Sequence, residues 1–155
     1  MISAPWMAIA RAELGEREAP GAASNPRIVE YLACCKGGDK PWAARDSTPH
    51  CAAFVSWCML AAGQPATRAL NARSWLRYGD PVAVEDARAG DVLIFWRHLP
   101  LPASVLNAPG HVGFFVAWGP RGQVQTLGAN QGNCVSVRAY PRARLLAVRR
   151  PKGAQ

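Results

Sequence analysis

The chain has 155 residues, half of them apolar, and a formal net charge of +8. That size fits one domain over 1–155, with a core that needs no metal or disulfide staple. No apolar run approaches the roughly 18 residues of a membrane span, so membrane insertion is not expected. Met1 to Arg11 lacks a cationic segment followed by an apolar core, so no secretory signal is expected. The expectation is a chain made in the cytoplasm that reaches any outside target by release or by a secretion system. All ten acidic residues lie between Glu13 and Asp91. From Val92 onward there are only cations: Arg97, Arg121, Arg138, Arg142, Arg144, Arg149, Arg150 and Lys152. The excess charge therefore belongs to the C-terminal part. It suits an anionic partner or an ordinary solvated face.

Trp6 to Leu14 reads as a short amphipathic helix closed by Gly15. Asn25-Pro26 begins a second helix, with Asn25 as its cap, running to about Cys35. Cys51 to Ala62 is the third, free of breakers until Gly63 and apolar on most sides. A helical turn follows around Ala72 to Tyr78. The period then changes. Val92 to Trp96, His111 to Trp118, Gln123 to Leu127, Val135 to Arg138 and Leu145 to Arg149 read as about five strands. Helices first and a meandering antiparallel sheet second make an α+β fold. Residues 150–155 are expected to form a flexible tail.

Five cysteines, Cys34, Cys35, Cys51, Cys58 and Cys134, leave at least one thiol unpaired in a monomer. No CxxC pair and no HExxH motif occurs, so neither a metal nor another cofactor is expected. Cys51 begins a helix just after Pro49-His50. The helix dipole and free N–H groups there lower a thiol pKa and can receive an oxyanion. Cys58 lies deep in the same helix and reads as a small buried hydrophobe. Cys34 and Cys35 end a helix and read as structural, while Cys134 stays open. Among the histidines, His111 opens a strand after Pro109-Gly110, which sets an imidazole at the sheet rim. His98 lies in a loop and His50 beside the nucleophile. A Cys–His pair needs a third group to hold the imidazole. No carboxylate follows Asp91, so a partner from the later strands must be an amide or a carbonyl. Asn130 in Leu127-Gly128-Ala129-Asn130-Gln131 is the first candidate, with Gln131 and Asn133 behind it. As a turn former, Asn130 has a structural reading too.

The segment Thr48-Pro49-His50-Cys51-Ala52-Ala53-Phe54-Val55-Ser56-Trp57-Cys58, then Ala72-Arg73-Ser74-Trp75-Leu76, Gly90-Asp91-Val92, Gly110-His111-Val112-Gly113-Phe114 and Leu127 to Gln131 resemble the CHAP branch of the NlpC/P60 peptidoglycan hydrolases. The likeness is closest to the compact single-domain form of phage lysins. It implies a papain-like fold, with Cys51 and His111 as the catalytic pair and Asn130 in the polar third position. Many CHAP domains carry a glutamate two residues before that asparagine; here the position is Gly128. Ser74, Trp75 and Gln131 are candidates for substrate binding, with core packing beside the Cys51 helix slightly favoured for Ser74-Trp75.

The expected chemistry is acyl transfer from an amide of peptidoglycan to water, as an amidase or a stem-peptide endopeptidase. A lysin, an antibacterial effector and a housekeeping wall enzyme all fit. An effector would need an immunity protein as partner. The chain is expected to be a monomer that takes peptidoglycan and no nucleic acid, since no recognition motif accompanies the basic region. The alternative is a non-catalytic wall-binding module on the same fold.

Overall fold

The change of period after Gly90 marks the boundary between a helical layer and a sheet. The computed structural model describes residues 4–154. Helix α1 is Pro5–Ala12, α2 is Pro26–Ala33 and α3 is Cys51–Ala61. The Asn25 side chain accepts the Arg27 N–H at 2.9 Å, with Pro26 at the first helical position, as the Asn-Pro pair predicts. Helix α1 stops before the predicted Leu14. Its next residue, Glu13, turns inward and accepts the Tyr31 hydroxyl at 2.5 Å.

Six strands follow: β1 Asp80–Val82, β2 Val92–Trp96, β3 Gly110–Trp118, β4 Gln123–Gly128, β5 Ser136–Pro141 and β6 Leu145–Arg150. They lie in the order β1-β6-β2-β3-β4-β5, and every neighbouring pair is antiparallel. The sequence predicts about five. The additional one is β1, three residues with a proline at their centre. That composition hides it, and only an edge position tolerates it.

Alternation divides the sheet into two faces. Val92, Ile94, Val112, Phe114 and Leu127 pack under Phe54, Val55, Cys58 and Met59 of α3 in the main core. Leu93, Phe95, Phe115, Val124 and Val148 form a smaller cluster on the opposite face. Helix α3 is buried on nearly all sides, with only Leu60 and Ala61 exposed. Its alanines leave room for that close approach.

Gly90-Asp91 ties the two layers together. Gly90 has φ +98°, and a Cβ there would lie 2.7 Å from the Ala4 Cβ. The Trp6 indole donates to the Gly90 carbonyl at 2.7 Å. Asp91 accepts Nε and Nη2 of Arg150, both at 2.7 Å, and so pins the end of β6 beside the start of β2. This fork is buried on its carboxylate side, where charge-assisted bonds are strongest. The C-terminal residues are held at this end: Pro151 is buried, and Ala154 packs against the main core. Of the expected tail, Gln155 lies outside the described residues.

Candidate active site

Cys51 occupies the first turn of α3 and is 5% exposed. The Phe54 N–H closes on the His50 carbonyl at 2.9 Å. The N–H groups of the preceding turn have no partner further along the helix. Those of Cys51 and Ala52, with the Val112 N–H from β3, act on the sulfur and favour its thiolate, as does the charge of Arg97. Burial opposes them and wins, holding the thiol above its ordinary value. The sequence expectation of a lowered value is thus corrected: a helix N-terminus favours the anion, but a sulfur removed from water disfavours it more.

His111 sits one residue into β3, opposite Phe95 of β2. It is 1% exposed. Its ring stands 5.1 Å from that of Tyr140 and 6.2 Å from that of Phe95. Its Nε2 faces the Gln131 Oε1 at 2.9 Å. The Gln131 amide is oriented by its other end, since Nε2 of that side chain donates to the carbonyls of Thr126 at 3.1 Å and Ser136 at 2.8 Å. The oxygen must therefore face the imidazole. An oxygen without a hydrogen can only accept, so the imidazole proton is on Nε2 and Nδ1 carries the free lone pair. Nδ1 is buried and has no hydrogen-bond partner among the described residues. Burial pushes the imidazole down to about 4, against the raising effect of Gln131. At neutral pH the resting pair is a thiol and a neutral imidazole.

The amide on His111 is Gln131, not Asn130. Asn130 adopts φ +58°, in the left-handed region that asparagine tolerates. From there its Oδ1 accepts the backbone N–H of His50, the residue before Cys51. Its Nδ2 reaches Oε1 of Glu18 at 3.5 Å. Asn133 also has φ +58° and supplies its carbonyl to Glu18 N. Gly128 explains the exchange of roles. A Cβ at that position would lie 2.8 Å from the Gln131 Oε1. The missing side chain at 128 leaves the space that the amide of Gln131 fills.

The other predicted residues have surroundings of their own. Trp75 is fully buried, 4.5 Å from the Tyr78 ring, so it offers no face to a ligand. The core reading replaces the binding one. Ser74 shares a 2.8 Å hydrogen bond with Thr67 and borders a different hollow, of about 400 Å³, with Pro65, Tyr78 and Lys152. His50 is fully buried with Nδ1 on the Thr48 carbonyl at 2.9 Å, and desolvation lowers its pKa. Cys58 is buried in the core, where desolvation raises its thiol. All five cysteines are free thiols, and Cys134 reaches the Gln131 carbonyl at 3.5 Å.

Two arginines near the site escaped the sequence reading. Arg97 follows β2 directly, and its charge acts on Cys51, His111 and Tyr140 alike. Its place next to the strand that pairs with His111 was the available signal. Arg73 is fully buried and donates to the carbonyls of Leu101, Pro102, Val105 and Pro109 at 2.8 to 3.3 Å. It holds the β2–β3 loop that leads into His111.

A model of the CHAP domain matches residues 42–130, which include Cys51 and His111. The chain belongs to the CHAP domain family. Comparison with curated proteins returns no match. Membership of the CHAP family supports a hydrolase acting on peptidoglycan, on an α+β fold with an antiparallel sheet. The CHAP match ends at Asn130, one residue before the side chain that faces the imidazole.

Proposed function

We propose that this CHAP domain cuts an amide bond of peptidoglycan by covalent catalysis at Cys51, with His111 as its base. The observation that carries the reading is the buried, unpartnered Nδ1 of His111. Gln131 fixes its tautomer. The Val112 N–H acts on the sulfur from the next residue of the same strand. Nδ1 takes the proton of the Cys51 thiol as the sulfur attacks the amide carbonyl. The tetrahedral oxyanion forms beside the free N–H groups at the start of α3. Nδ1 then returns the proton to the leaving amine, and water attacks the thioester to release the acid. Gln131 is a positioning residue for the imidazole. Asn130 is a positioning residue for the helix start, through His50 N–H.

Starting from a neutral pair suits this sequence. The proton moves only when the carbonyl is in place, so the buried site never holds two separated charges at rest. The amidase and endopeptidase forms use the same steps on different bonds. A role as a lysin or as an antibacterial effector fits the same chemistry, and in the second case an immunity protein would cover Cys51 and His111.

The test is digestion of purified sacculi, with soluble fragments identified by mass spectrometry. Wild-type protein is expected to release fragments with one new amine and one new carboxyl terminus. Folded Cys51→Ala and His111→Ala are expected to release none. Full activity of Cys51→Ala would overturn the covalent mechanism. Pelleting of wild-type protein with sacculi without any release would favour the wall-binding alternative.

A further inference from the structure

Most of the chain's cations have no carboxylate partner among the described residues, and three of these lie near His111. Arg27, Arg142 and Arg150 each pair with a carboxylate. Among the described residues, Arg97, Arg138 and Arg144 have no such partner. All three act electrostatically on Tyr140, whose ring stands 5.1 Å from that of His111. Arg97 extends β2 past Trp96, which pairs with Gly110, so it stands beside the chain entering His111. Arg138 comes from β5, where it pairs with Thr126, and its guanidinium covers Gly132: a Cβ there would lie 2.3 Å from Nη2. Gly132 directly follows Gln131. Arg144 lies over the Trp96 ring, 4.8 Å from its centroid. Three half-buried or exposed guanidinium groups thus lie around Tyr140, the ring beside His111. Glu18, the acidic group that Asn130 reaches, pairs with none of the three.

Like charges gathered without counter-ions cost stability, and they favour an anion that arrives from outside. Planar guanidinium groups suit a carboxylate through paired N–H donors. We propose that Arg97, together with Arg138, forms a subsite for a free carboxylate of the stem peptide, next to the amide being cut. The subsite rests on the reading of Cys51 and His111 as the amide-cleaving pair. It adds a requirement that this reading lacks: a stem peptide whose carboxyl is amidated is a poor substrate. Arg144 is held over Trp96 and contributes its field rather than a direct contact.

The experiment uses the full chain and soluble muropeptides prepared as matched sets. In each set, every free carboxyl in turn is replaced by a carboxamide. Wild-type protein is expected to lose at least about tenfold in kcat/KM when one particular carboxyl is amidated, since an unpaired charged partner in the site is costly. For Arg97→Gln the loss is expected to fall below about threefold, and Arg97→Lys should retain an intermediate ratio. Each ratio is internal to one protein preparation, so partial unfolding or a change in thiol reactivity cancels. Equal cleavage of every amidated form by wild type would overturn the subsite while leaving the hydrolase intact. A ratio unchanged in both Arg97→Gln and Arg138→Gln would overturn it as well. Failure to cut any muropeptide would remove the hydrolase reading, and the subsite with it.

Discussion

The two halves of the site are held by different means. Cys51 is placed mostly by main chain, a helix start and the Val112 N–H beside its sulfur, with one side-chain acceptor, Asn130 Oδ1, on the His50 N–H. His111 is placed by a side chain, through one amide whose far end is fixed by two carbonyls. Two consecutive residues of one loop thus serve the two partners. On the proposed roles, a nucleophile held mostly by main chain loses little when one neighbouring side chain changes. A side-chain-held base can be detuned by a single substitution.

That contrast can be broken most severely at the base. His111→Gln is expected to reduce hydrolysis by roughly 1000-fold or more. It should also change the acid stability of the fold. The imidazole titrates at about 4 when folded, against 6.5 ordinarily, so the unfolded chain binds the proton more readily between those values. Stability from the neutral, buried ring is complete above pH 6.5 and is lost as pH falls toward 4. A full shift of this size corresponds to roughly 3 kcal/mol. Melting temperatures measured from pH 7 down to pH 4 should fall less steeply in His111→Gln than in wild type. The slope that remains includes His50, which is buried and depressed in the same direction.

Removing the anchor alone should be milder. Gln131→Ala leaves the imidazole N–H buried without an acceptor, at a cost of about 1–3 kcal/mol. It is expected to lower kcat by about 100-fold, the low end of a general-base contribution. Gln131→Glu is not a conservative replacement here, because one carboxylate oxygen would face the Thr126 and Ser136 carbonyls. Its negative charge would also raise the imidazole, so the acid limb of the pH–rate profile should move upward from the wild-type midpoint near 4.

Gly128→Ala tests the same anchor indirectly. The added methyl meets the Gln131 oxygen, and the expected result is a loss of about tenfold in kcat, smaller than that of Gln131→Ala. The weakest effect should come from the nucleophile side. Asn130→Gly keeps the positive φ and removes only the acceptor for His50 N–H, at about 1 kcal/mol of stability. A loss of a few-fold in kcat/KM with an unmoved acid limb would uphold the division of labour. A displaced acid limb in Asn130→Gly would assign that residue to the base as well.

The sequence made the helices legible where chemistry is local. Asn25-Pro26 carries its own cap, and Cys51 to Ala62 has no breaker. It also placed the thiol at a helix start and the imidazole at a strand start. What it hid depends on distant partners. Strand β1 exists because β6 supplies a ladder for Asp80–Val82, and no property of those three residues announces it. The choice between Asn130 and Gln131 turns on one left-handed residue, which reverses the direction in which neighbouring side chains leave the loop. The rise in the Cys51 pKa is a sum in which burial outweighs the dipole, and burial is a property of the assembled layers. Trp75 illustrates the reverse difficulty. A tryptophan in a catalytic family motif invites a ligand role, yet it fills the core beneath the site-bearing sheet.

Arg73 has a consequence for how this domain can diversify. Its guanidinium grips only main-chain oxygens of the 101–109 segment. The loop is thus held from outside, by Arg73 and by Asn71 on the Leu106 carbonyl, and the side chains of Leu101, Pro102, Ala103 and Ser104 stay exposed. Those positions are free to drift without disturbing the approach to His111. A wall-degrading domain that meets new strains could exchange them at little structural cost, while the chemistry beneath stays fixed.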